Sequence, residues 1–194
     1  MFLEAVILGV LVGWLRKGRL KYLEHFPLQW LSLAVVALFL QVGLWLDFAF
    51  AGGAREVWYP YLHVLSYLLL LGFICLNLRQ RAMLIIGLGV LLNLMVITAN
   101  QGKMPVDPEV LEPEMRQELL RGEGSPVHAP LTEETNLGFL GDHIPLPHTP
   151  DDIISVGDIF LAAGLAVLIQ KAMQPPHRSY QGTQGGKGLS EGKG

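Results

Sequence analysis

Residues 93–108 read NLMVITANQGKMPVDP, an apolar run that carries two asparagines seven residues apart and then breaks into Gly-Lys-Met-Pro. The run it closes, Ala82 to Ala99, contains no charged residue and is long enough to take a helix across a hydrocarbon core. Seven residues are two helical turns, so Asn93 and Asn100 lie on one stripe. Gly102 suits the backbone turn at a helix end, and Pro105 prevents the helix from resuming. Lys103 is placed to reach back to the interface. The stretch reads as an exit from a membrane into an ordered loop.

Working outward, the rest of the chain has the same character. Of its residues 51% are apolar and 16% charged, with a mean hydropathy of +0.40, against about 25% charge in an ordinary soluble domain. Further apolar runs cover 2–15, 27–46, 60–78 and 153–169. The first is the shortest, and Arg16 and Lys17 extend it if they snorkel. No Lys or Arg precedes this run, an acidic residue (Glu4) stands near its start and the basic cluster follows, the reverse of a secretory signal, so it reads as a retained helix. The expected fold is an all-α integral membrane protein of about five transmembrane helices, forming a membrane domain over 1–173. Residues 174–194, rich in Gly, Gln and Lys, read as a disordered cytoplasmic tail. The single cysteine, Cys75, allows no intramolecular disulfide and is expected to be a small buried side chain.

Basic residues set the orientation. Ten of the fourteen fall in the first connection, the third connection and the tail, and four on the other side. By the positive-inside rule the N-terminus lies outside and the C-terminus in the cytoplasm. The expected location is the bacterial cytoplasmic membrane. The segment 100–152 is then a long extracytoplasmic loop, with eleven acidic and three basic residues, a balance unsuited to nucleic acid. Pro113 is placed to begin a short helix ending near Gly122, and Thr132 to cap a second ending near Gly141. Three prolines in LGDHIPLPHTPDD impose an extended path. His143, His148, Asp142, Asp151 and Asp152 crowd that path, but their spacing across prolines is not that of a metal site. No metal or other cofactor is expected, and His128 reads as an ordinary loop residue.

Ionisable and amide groups at membrane depth are the functional candidates. They are Asp47, His63 (with Ser66 and Tyr67 on the same face), Asn93, Asn100, Lys103 and Asp158, and an outward-opening polar site would group them. Each also has a structural reading. Ser155-Val156-Gly157-Asp158 has the form of a capping box. Asn93 and His63 suit hydrogen bonds between helices, and Asp47 a helix end. Gly9 with Gly13, and Gly157 with Gly164, suit close helix packing.

With these segments together, the chain resembles an uncharacterised bacterial multi-pass membrane family, domain of unknown function family 5317. The resemblance rests on MFLEAVILGVLVGWLRKGRL, NLMVITANQGKMPVD, LTEETNLGFLGDHIPLP and ISVGDIFLAAG. It implies a membrane protein without assigned activity and transfers no catalytic residue. A fainter likeness links ISVGDIFLAAG to the last helix of lipoprotein signal peptidases, in which Asp158 would match one of two catalytic aspartates. The partner motif is absent, so Asp47, Asp107 or Asp142 would have to supply the second carboxylate by folding. The leading expectation is a non-enzymatic membrane protein that binds a partner protein, lipid or small ligand through its outer loop and polar residues. Another membrane protein or a second copy of the chain is among the candidate partners. A membrane-embedded aspartyl hydrolase and a transporter or channel subunit are the alternatives.

Overall fold

A computed structural model describes residues 2–50, 57–123, 125–146 and 149–175. Most of the expected tail lies outside the described residues, as does His148. Five apolar helices form a bundle: α1 (Phe2–Leu15), α2 (Leu31–Phe50), α3 (Tyr59–Leu76), α4 (Ala82–Ala99) and α6 (Val156–Ala172). A sixth, α5 (Pro113–Arg121), lies in the loop. Both α3 and α4 are long and apolar enough to cross a membrane.

The helices pack as neighbours in a definite order. Asn93 meets Tyr67 and Gly87 lies over Ile74, so α3 and α4 run antiparallel. Gln41 bonds to Ser66 while Gly72 faces Leu33, which sets α2 antiparallel to α3. Gly89 lies against Gly157 and Leu161, and Gly164 against Ile86, so α6 returns antiparallel to α4. Gly9 lies against Ala166 and Gly13 against Met173, so α1 runs parallel to α6. Small residues at these crossings let backbones approach closely, as the sequence pattern predicts. A Cβ on Gly164 would stand 2.8 Å from the Ile86 nitrogen.

Several expected boundaries move. The second apolar run was expected from residue 27, but α2 begins at Leu31. Trp30 has φ +52, outside the right-handed helical region. Gln29 is held instead by Asn77, whose side chain accepts from its N–H at 2.7 Å and donates to its carbonyl at 2.8 Å. The last helix begins at Val156 rather than 153, because Ile153 and Ile154 pair with Pro145 and Ile144. No helix starts at Thr132. The Thr135 hydroxyl accepts from the Thr132 N–H at 2.9 Å, and Leu137 has φ +53. Such local side-chain bonds compete with helix formation, and only a 3-10 turn at Gly138–Leu140 follows. The Pro113 helix forms as expected, and Gly122 closes it in the left-handed conformation. Cys75 is exposed rather than buried.

The loop gains its order from short strands. β1 (Met104–Val106) pairs in parallel with β2 (His128–Pro130), and β3 (Ile144–Leu146) pairs antiparallel with β4 (Thr149–Ile154). Gly102, at φ +84 and packed on Pro60, turns the chain from α4 into β1.

Candidate functional site

β1 is the part that assembles the site. It leaves α4 with His128 of β2 on one side, and on the other it bridges Asp142 through Val106. The Asp142 N–H donates to the Pro105 carbonyl at 2.8 Å, and the Asp107 N–H donates to the Asp142 carbonyl at 2.9 Å. Gly141 makes that approach possible, since a Cβ there would stand 2.6 Å from the Pro105 oxygen. Two loop residues far apart in sequence are thereby fixed over the ends of α3, α4 and α6.

Below them is a cavity of about 280 Å³ lined by His63, Tyr67, Asn93, His128, Asp142 and Asp158. Asn93 is 1% exposed. Its amide donates to Asp158 Oδ1 at 2.9 Å and to the Tyr67 hydroxyl at 3.4 Å. The Ser155 hydroxyl stands 3.0 Å from Asn93 Oδ1 and 2.9 Å from Asp158 Oδ2, so its single proton serves one at a time. The capping box is complete: the Asp158 N–H donates to Ser155 Oγ and the Ser155 N–H to Asp158 Oδ2, each at 3.1 Å. Gly157 gives Asn93 its room, since a Cβ there would overlap the Asn93 oxygen. His63 Nδ1 lies 3.0 Å from the Gly102 carbonyl. A carbonyl only accepts, so Nδ1 carries the proton and in a neutral ring Nε2 is left as an acceptor. The His63 ring meets Tyr67 edge-on at 5.4 Å.

Asp142 differs from its neighbours. It is 8% exposed, and its Oδ1 is buried with no hydrogen-bond partner among the described residues. Burial, and then the charge of Asp158, push its carboxyl up to about 8. Burial and then His63 hold His128 down at about 4. Although 37% of the His128 side chain remains accessible, burial leaves its ring neutral at pH 7. His128 Nε2 and Asp142 Oδ2 are 3.9 Å apart. With both groups biased toward their neutral forms, that contact is not an ion pair at neutral pH.

Of the residues singled out from the sequence, His63, Asn93 and Asp158 come together, and Asp142 joins them. The others serve elsewhere. Asp47 accepts a hydrogen bond from the Tyr59 hydroxyl. Asp107 caps a turn by accepting from the Glu109 N–H. Asn100 clasps Asn136 through both its amide groups, at 2.7 and 3.0 Å. Lys103 lines a neighbouring pocket together with His128. His128, read from the sequence as an ordinary loop residue, also lines the chamber, and nothing local distinguishes it in Val-His-Ala-Pro. Among the described residues no group of three or more His, Cys, Asp or Glu could hold a metal ion.

Bundle and cavity define a mostly helical protein with two membrane-length apolar helices and a polar chamber roofed by a structured loop. The chain belongs to the family of unknown function DUF5317, whose model matches residues 25–170. No curated protein and no solved structure matches it.

Proposed function

We propose that this is a multi-pass protein of the bacterial cytoplasmic membrane whose chamber, beneath the outer loop, binds a small polar ligand without chemical turnover. The five spans are α1, α2, α3, α4 and α6, with the N-terminus outside and the C-terminus in the cytoplasm. Large apolar side chains left exposed around the bundle support immersion in lipid, among them Phe39 at 71%, Leu84 at 59% and Leu8 at 56%. The basic connections collect at the end opposite the chamber, where the Arg19 N–H donates to the Met173 carbonyl and Arg16 reaches Gln170.

The observation that carries the binding role is Asp142 Oδ1, buried without a hydrogen-bond partner among the described residues, on a side chain that lines the chamber. A buried acceptor left unmatched costs about 1–3 kcal/mol, and a ligand that donates to it recovers that cost. The test is accessibility. With Cys75 replaced by Ser, His128→Cys should react with a membrane-impermeant maleimide in intact cells, and Tyr22→Cys only after permeabilisation. The opposite labelling pattern would reverse the orientation and remove an outward-facing site.

A second reading draws on one specific observation. Asp142 and Asp158 line the same chamber, and Asp158 helps to raise the Asp142 carboxyl. A carboxyl whose proton affinity is raised beside a second carboxyl is one part of an acid–base pair. Asp142 would be the acid and Asp158 the base of an aspartyl hydrolase. The binding reading is preferred because the Asp158 oxygens are already committed to Ser155 and Asn93. A transport path gains little support, since Asn93 and Asn77 are both buried and hydrogen-bonded.

A further inference from the structure

The polar chamber has an apolar neighbour. A second cavity of about 220 Å³ is lined by Gln41, Leu44 and Trp45 of α2 and by Pro126 and Val127 of the loop. His63, Tyr67 and His128 line both cavities, so those three side chains form a shared wall. The two sides differ in kind. One offers Asp142, Asp158 and Asn93, while the other offers Leu44, Trp45 and Val127. Trp45 is 66% exposed, on a helix that faces acyl chains if α2 spans the membrane. Only one boundary therefore separates a carboxyl-bearing chamber from an apolar one at the lipid-facing side.

We infer that the two cavities together hold a single amphiphile, its protonated amine against Asp142 and Asp158 and its hydrocarbon chain against Leu44, Trp45 and Val127. This rests on the ligand-binding reading of the chamber and supplies the ligand's chemistry. A cation is favoured over an anion because the chamber's acidic groups are the carboxyls of Asp142 and Asp158, while His128, in the shared wall, is neutral at pH 7. An ammonium also brings donors, which the unpartnered Asp142 oxygen lacks. The chain is required because the apolar cavity has nothing to offer a bare ammonium, whereas every methylene buried there adds to affinity. Binding should release a proton. The groups facing Asp142 are His63 and Tyr67 from α3, His128 from β2 and Asp158 from α6. An arriving ammonium favours ionised Asp142, so affinity should increase as pH rises toward 8.

The test uses the full chain in phosphatidylcholine nanodiscs, titrated with decylammonium, ethylammonium and decanol against empty nanodiscs. Decylammonium should bind at least about ten-fold more tightly than either truncated probe. Asp142→Asn should weaken decylammonium about ten-fold and leave decanol unchanged. Leu44→Trp, which fills the apolar cavity, should weaken decylammonium and spare ethylammonium. Equal affinity for the two amines, with no effect of Leu44→Trp, would overturn the amphiphile and leave a purely polar ligand site. Equal affinity for decanol and decylammonium would overturn the amine. If neither amine binds above background the inference fails, while the outward-facing chamber is still judged by the maleimide labelling.

Discussion

Asp142 is pulled in two directions. Its backbone is fixed by two hydrogen bonds, to Pro105 of β1 and to Asp107 just after it, which hold its carboxyl where burial and Asp158 disfavour the charge. The folded state therefore keeps this proton up to about pH 8, whereas the unfolded chain loses it near 3.8. Between those values the folded state binds more protons, so stability falls as pH rises. His128 works in the opposite sense: depressed from 6.5 to about 4, it adds stability as pH rises through that interval. The two partly offset below pH 6.5, and above it only the Asp142 loss remains. Thermal melts of the purified protein should show a loss of about 2 kcal/mol between pH 6.5 and 8. Asp142→Asn should flatten that slope, and an unchanged slope in the variant would show that another group titrates. Sequence alone could name Asp142 only beside Asp47 and Asp107, as one of three carboxylates that folding would have to bring to Asp158. It gave no reason to choose Asp142 over Asp47 or Asp107. The choice is made by backbone pairing with β1, and three-residue strands containing proline leave no periodic trace.

At the scale of elements, α3 and α4 end in the same way. Asn77 closes α3 by donating to the Phe73 carbonyl four residues back and gripping both backbone groups of Gln29. Asn100 closes α4 by donating to the Val96 carbonyl and gripping both backbone groups of Asn136. Each asparagine ties a helix end to a remote loop, one at either end of the bundle. Replacing Asn77, itself buried, by Ala would remove one buried and two part-buried hydrogen bonds and should cost about 1–3 kcal/mol in a denaturation assay. Asn100→Ala should cost less, because its clasp is more exposed. Its effect should appear as faster amide exchange in residues 131–140, with α3 unchanged. Uniform loss of protection would argue against a local clasp. The helices themselves were readable, since uncharged runs of membrane length admit few other structures, and α1 and α4 keep the bounds that hydropathy suggests. Their starts were less readable where a remote residue decides them, as Asn77 does at Gln29. Hydropathy also says nothing of Ile153 and Ile154, which are apolar enough for a helix and are held in a hairpin.

Across the whole molecule, packing order departs from chain order. α2, α3 and α4 are successive neighbours, but α1 rests on α6, the last helix to be made, and α6 is held between α1 and α4. α1 therefore docks only once the loop has returned the chain through the capping box at Ser155. The dependence reaches the chamber as well, because Phe2 at the start of α1 lines it. The contact that fixes this arrangement is narrow. A Cβ at Gly9 would stand 3.0 Å from the Ala166 carbonyl oxygen and 3.1 Å from its Cα. A leucine at position 9 must then push the two backbones apart, and in the membrane arrangement proposed above lost close packing is not replaced by a hydrophobic force, because lipid competes for the same surface. Gly9→Leu should accordingly release α1 alone. Hydrogen exchange in nanodiscs should show its amides losing protection, while α4 and the Asn93–Asp158 contact between α4 and α6 persist. If α4 lost protection to the same degree, the bundle would be one cooperative unit, and α1 would not be the separable helix that its packing mainly on α6 implies.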